Sequence, residues 1–513
     1  MKRFLAFILC LLALEAQAHI GSPDIFYDGM AGPYAARVTI RMPTVVPGRA
    51  EISARVATGE PVEVSFLPVY SATPITNSPP PDIARLVPGE TNLYSGELWL
   101  MRFGAYSVNV HVKGPQGEGT AEIPVTSVAL HQLPMPSLLG KLLLVMAAVL
   151  VVGGIGIAIA AGREATLPAG AKPGIFGLLK GVAAAIVTAA LFTVALVGGN
   201  AWWRSTETDF RRHLREGSWP DLAADVRVEG NDRILRLELG KKFFTQNKNV
   251  PLIPDHGKMM HLFLVREGTR DAFAHLHPIR KEGNTFEVAV PPLPEGRYDI
   301  FCDVTFEGGT SSTATNSVLL PPVPAGANSP SPTVQRDPDD SWAIFANDAV
   351  PGPQIAAPVF RMADGTQVTW KCQKPLRANR DASLRFSVTD AAGRPIALAP
   401  YMGMLSHAAV LRSDNAVFSH LHPSGNYSMA AQMFFANKTA TNQDAGMSEM
   451  PGMADMPNMP GMNHSMHHMH SENAVSEIDL PYEFPAPGNY RIWVQFKIDE
   501  RVITGVFDAQ VGS

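Results

Sequence analysis

Two short runs, "FAHLHP" at Phe273–Pro278 and "FSHLHP" at Phe418–Pro423, set histidines at alternate positions. Residues i and i+2 of a strand project from one face, so His275 with His277, and His420 with His422, are predicted to point together. Each run has another histidine upstream, His261 and His407, across a hairpin-length loop. Cross-strand neighbours come close enough for three imidazoles to meet one ion. Three imidazoles with no carboxylate in the motif suit copper, zinc or nickel rather than calcium or magnesium. The expectation is one metal site per copy of the motif, with His256 as a further ligand in the first copy and Met402 or Met404 in the second.

A different chemistry is offered by "GMSEMPGMADMPNMPGMNHSMHHMH", residues 446–470. Methionines fall at Met447, Met450, Met453, Met456, Met459 and Met462, then at Met466 and Met469, with proline and glycine between them. Those breakers exclude a stable helix, and a period of three matches the three residues per turn of polyproline II. Such a chain presents a row of thioethers without folding. Thioethers select Cu(I), and the imidazoles of His464, His467, His468 and His470 add sites for Cu(II). A third candidate is His19: as the first residue of a processed chain, its amine and ring would chelate Cu(II), with His111 completing the site.

The tract "MPGMADMPNMPGMNHSMHHMH" resembles the Met- and His-rich segments of periplasmic copper-resistance proteins and the copper-handling inserts of bacterial multicopper oxidases. That resemblance implies copper as cargo. It does not imply oxidase activity, because neither Cys302 nor Cys372 has the histidine neighbours of an oxidase centre. The stretch "GPYAARVTIRMPTVVPGRAEISARV" resembles the YtkA-like and FixH-like extracytoplasmic domains, which implies β-sandwiches on a membrane-anchored protein.

The elements that position these residues read as strands. Short alternating segments such as "ARVTIRM", "FEVAV" and "LRFSVTD" sit among Pro, Gly and Thr, the pattern of antiparallel sandwiches. Gly104 with Tyr106, Gly296 with Tyr298 and Gly488 with Tyr490 repeat one element, predicted to be the tyrosine corner of immunoglobulin-like folds. Three sandwiches are expected, at 19–127, 223–322 and 341–513, with a linker at 323–340. The last two align: "IPDHGKMMHLFLVREGTRDAFAHLHP" matches "APYMGMLSHAAVLRSDNAVFSHLHP" with one single-residue gap, so the pair reads as an internal duplication. The methionine tract is then an insertion in a loop of the third sandwich.

The chain of 513 residues carries a net charge of −5, which gives no reason to expect nucleic acid. Residues 1–18 have the basic start, apolar run and Ala-x-Ala end of a secretory signal. Two apolar runs are predicted to cross a membrane, at 138–161 and 177–199, joined by a short cytoplasmic loop at 162–176. Gly153 and Gly156 on the first, with Gly181, Ala185 and Ala189 on the second, are expected to let the two helices pack closely. Cys302 and Cys372 are left either to pair or to serve as thiolate ligands. The reading is a mainly β protein anchored in a bacterial inner membrane, facing the periplasm, in contact with lipid. It is expected to bind copper, with zinc a further ion for the histidine sites, and either to sequester it for resistance or to relay it to an exporter or an oxidase, without turnover. The alternatives are a copper enzyme built on His19 and an assembly scaffold.

Overall fold

The computed structural model describes residues 24–56, 63–168, 170–216, 221–240, 251–324, 336–345, 358–372, 375–440 and 475–513. His19, the signal segment and the whole tract 446–470 lie outside them. Contacts divide the chain into two units: Ala129–Arg215, and the remainder on either side of it.

The larger unit holds three antiparallel β-sandwiches. In the first, a five-stranded sheet beginning with Ile25–Ala31 faces a four-stranded sheet built on Glu63–Tyr70 and Gly104–Gly114. Alternate residues of these strands, among them Val38, Ile40, Phe66, Val108 and Val110, fill its core. The second and third each pack a four-stranded sheet against a sheet centred on a histidine-bearing strand, His261–Arg266 and Ser406–Arg412. The three tyrosine corners are present. The Tyr298 hydroxyl donates to the Pro294 carbonyl at 2.9 Å and that of Tyr490 to Ala486 at 2.7 Å. The Tyr106 hydroxyl instead accepts from the Arg102 main chain at 3.0 Å.

The boundary expected between the last two sandwiches shifts. Ser341–Ile344, assigned from sequence to the third, pairs with Ala272–Leu276 and extends the second sandwich's sheet. A helix not foreseen, Met429–Ala440, follows the second histidine motif. Cys302 lies in the second core and Cys372 packs on the third, so the two do not form the disulfide that was one of the alternatives.

The smaller unit contains helices Ser137–Glu164 and Ile175–Glu216, each long and apolar enough to cross a membrane. They touch through glycines, only one of which, Gly181, was among those expected. A Cβ on Gly154 would fall 2.9 Å from the Phe192 ring, and one on Gly162 would fall 2.8 Å from the Lys180 carbonyl. Gly181 faces Arg163 and Ile159 as foreseen, whereas Gly153 and Gly156 meet nothing within 4 Å. Gly154 and Gly162, eight residues and about 80° apart at about 100° per residue, both lie on the broad side of the first helix that meets the second.

Candidate metal centre

Strand alternation sets the histidines on a face that the sandwich cores do not use. Along His261–Arg266, Leu262 and Leu264 enter the core of the second sandwich, while His261, Phe263 and Val265 turn outward. Ala272–Leu276 likewise sends Phe273 and His275 outward, and Gly296–Phe306 sends Phe301 and Asp303. The duplicated strands of the third sandwich do the same with His407, Ala409 and Leu411, with Phe418 and His420, and with Trp493 and Gln495. The two outward faces meet, and their contact forms a separate apolar cluster.

That contact is close to a two-fold arrangement of the duplicated units. Phe301 stacks on Phe418 with centroids 4.3 Å apart and planes within 5°, and Trp493 stacks on Phe273 at 4.9 Å and 9°. Phe301 and Trp493 hold equivalent positions, three residues past the corner tyrosine; Phe273 and Phe418 both open their "HLHP" runs. Each copy thus gives the other the same pair of rings, as in a self-complementary dimer interface.

The histidines fill the other half of this interface, and they sort across the copies. His261 and His275 of the second sandwich group with His420 of the third; His407 and His422 of the third group with His256 of the second. In each group one ring nitrogen from every histidine lies within 4.8 Å of one from the other two. The expectation of one site per copy is therefore corrected: the alternating faces point out of each sandwich, toward the partner, so three rings converge only where both copies contribute. The two groups adjoin, with the His420 and His422 rings 4.5 Å apart.

His256 enters the cluster by a strained route. Asp255–Lys258 and Tyr401–Met404 are equivalent two-residue hairpins, each closed by a reciprocal pair of main-chain hydrogen bonds. His256 and Met402 both adopt φ of 50°, ahead of Gly257 at 77° and Gly403 at 79°. Such turns need left-handed residues at both positions, a conformation most non-glycine residues avoid, and strain of this kind concentrates at functional sites. Met402 joins the site through its main chain, to which the His256 ring hydrogen-bonds.

The rings are buried, and in the group of His261, His275 and His420 the outer nitrogens are held. His275 and His407 are 0% exposed, and burial, followed by the neighbouring imidazoles, holds both well below the usual histidine range. His261 and His422 are held low for the same reasons, and His256 is lowered chiefly by burial. These are the neutral rings that metal binding requires. His275 Nδ1 lies 2.9 Å from the Gln495 side-chain oxygen, and Gln495 donates its amide to Ser341. His261 Nε2 lies 3.2 Å from the Asp255 carbonyl. Both outer partners are acceptors, so both rings carry their proton outward. His261 Nδ1 and His275 Nε2 then face each other 3.2 Å apart, lone pair to lone pair. Two imidazoles on one ion with bonds of about 2.0–2.1 Å place their nitrogens about 3.3 Å apart in a tetrahedral arrangement. His420 completes the pattern: Nδ1 is 3.3 Å from the Asp303 carboxylate and Nε2 is buried without a hydrogen-bond partner.

In the other group His256 Nε2 and both ring nitrogens of His407 and His422 are buried without such partners. The residues thus fit a soft or borderline cation, with the Asp303 carboxylate or the Gln495 amide fixing a ring from behind. Asp303 and Gln495 were missed from sequence. The signal was available: each stands five residues past the corner tyrosine of its copy, and each supports a histidine of the other copy.

His277, expected among the ligands of the first copy, turns to Asp340 instead, which accepts from its main chain at 2.8 Å and lies 3.1 Å from Nδ1. Asp337 stands beside them, but Lys258 already neutralises it at 2.6 Å and reaches Asp339 at 3.1 Å. This third group is tied together by Lys258 and by the His277–Asp340 contact. His111 faces Thr120 on the adjacent strand at 3.1 Å, and its proposed partner His19 lies outside the described residues. The loop after His422 is anchored by the first sandwich: the Asp28 main-chain N–H donates to the Ser424 carbonyl at 2.8 Å, and a Cβ on Gly425 would fall 1.8 Å from the Phe26 carbonyl, so only glycine fits.

Segments 226–319, 361–447 and 459–513 match the model of a family described as a domain of unknown function (DUF8832). The six histidines of the two groups, and His277, fall in the first two segments. No curated protein matches the sequence. Among solved structures, dimeric latent PorU from Porphyromonas gingivalis is similar over 96% of this chain and 34% of its own, at 8% identity and a TM-score of 0.15. Salmonella alpha-2-macroglobulin reacted with methylamine is similar over 96% and 23%, at 10% identity and a TM-score of 0.19. Immunoglobulin domains 1–4 of Sidekick-1 are similar over 96% and 92%, at 8% identity and a TM-score of 0.12. The chain spans about a third or less of the first two.

Proposed function

We propose that this protein is a membrane-anchored, periplasm-facing copper-binding protein that holds copper and passes it on, without catalytic turnover. The observation that carries the reading is the His261, His275 and His420 group, in which outward-held protons leave inner lone pairs converging in a dry space. A cation relieves that repulsion, and three neutral imidazoles favour copper, then zinc, among common ions. The tract 446–470 supports copper over zinc, because thioethers take Cu(I), as does its resemblance to periplasmic copper-resistance proteins. The two apolar helices supply the anchor, and the predicted signal segment puts both flanking regions outside the cytoplasm. The near-complete burial of the rings favours holding an ion over turning over a substrate. In this scheme the tract captures copper by exchangeable contacts and the histidine groups retain it, near an exporter or an oxidase awaiting the metal.

The test is a titration of the full-length protein in detergent with Cu(I), Cu(II) and Zn(II), each under chelator competition. Copper held more tightly than zinc, and lost in part when residues 446–470 are deleted, supports the reading. Binding no tighter than that of a chain with the six grouped histidines and the tract removed overturns it.

A further inference from the structure

We propose that the two histidine groups form a single two-ion centre shared between the second and third sandwiches, so that ion binding and the docking of these sandwiches are one equilibrium. This rests on the metal-binding reading above and adds to it the number of ions, their coupling and their structural consequence.

Three observations carry it. Neither sandwich owns a complete group: His261 and His275 need His420, and His407 and His422 need His256. The groups share their supports. His420 and His422 are two residues apart on one strand and its extension, and each serves a different group. The Asp255 carbonyl that orients His261 precedes His256, the second sandwich's contribution to the other group. Placing an ion in one group therefore fixes the segments that supply ligands to the other. Finally, the contacts that hold the rings from behind also cross the interface, from Gln495 to His275 and from Asp303 to His420. The remainder of the interface is apolar and stacked, so separating the sandwiches exposes both ligand sets together. An ion bridging the two copies resists that separation by mass action, since the undocked state lacks the site. In the docked state an ion in either group raises affinity in the other, by the 5- to 150-fold typical of coupled sites.

The experiment counts ions by competition with Cu(I) on the full chain lacking only residues 446–470, so that tract-bound copper does not enter. Two ions are expected. His261→Ala and His420→Ala should each lose one, and the double variant should still lose one, since both changes strike the same group. Pairing His420→Ala with His407→Ala should lose both. In each single variant the ion that remains should bind at least five-fold more weakly, and Phe301→Leu, which touches no ligand, should weaken both.

The reverse pattern, with His407 and His420 removing the same ion, means one site per sandwich and overturns the proposal. So does a count of one, or affinities in the single variants equal to the parent. A parent that binds no Cu(I) defeats the metal reading itself, a distinguishable result. Glutamine variants at the same positions repeat the count where an alanine variant fails to fold.

Discussion

At the scale of single residues, the carboxylate behind His420 is the most testable feature. Asp303 accepts from the Thr313 hydroxyl at 2.5 Å and stands 3.3 Å from His420 Nδ1, so it fixes the ring and raises its basicity toward a metal. Asp303→Asn retains the size and loses the charge. Metal affinity should fall about 10- to 100-fold, the usual consequence of losing such support, measured by competition titration. A second residue sets a pH dependence away from the histidines. Burial pushes the Asp24 carboxyl up from 3.8 to about 6, against the pull of Arg41. The folded state therefore binds more protons than the unfolded state between these values, and stability falls as pH rises through that window. Asp24→Asn should remove the slope and stabilise the protein at pH 7 by at most about 3 kcal/mol, read from denaturant midpoints at pH 4.5 and pH 7.

At the scale of elements, strands set ligand direction and a few side chains set strand position. The corner hydroxyls of Tyr298 and Tyr490 tie the start of each central strand to the loop four residues upstream. Tyr298→Phe or Tyr490→Phe should cost about 1 kcal/mol, the typical net value of one hydrogen bond, without moving the histidines out of register. The stacked aromatics are a larger contribution. Trp493→Ala empties a fully buried site against Phe273 and should cost about 3–5 kcal/mol, detected as a lower unfolding midpoint. In the helical unit the close approach is main chain against glycine. Gly162→Leu should loosen the pair, and Gly153→Leu, with open space around it, should not; melting of the two variants in detergent separates them.

At the scale of the whole molecule, the sequence by itself determined a good deal. Alternating segments with repeated Gly-x-Tyr elements specified immunoglobulin-like sandwiches, because a half-buried strand requires that period and a corner requires those residues. Two long apolar runs specified the helical pair for an equally local reason, and the duplication around His261 and His407 marked the histidines from which the two groups are built. What only the tertiary structure decided is how those residues are grouped. The period-two rule says that His275 and His277 leave a strand on one side, yet it is silent on what meets that side. Here the outward faces of two duplicated sandwiches meet, so His256 joins His407 and His422, His420 joins His261 and His275, and His277 is diverted to Asp340. Asp303 and Gln495 gained their roles the same way, as did the Ser341–Ile344 strand, which crossed to the neighbouring sheet. Pairing within a strand or hairpin is set by local geometry and is written in a few adjacent residues. Pairing across an interface depends on which apolar faces bury each other, a property of Phe301, Phe418, Phe273 and Trp493 together that no single segment encodes.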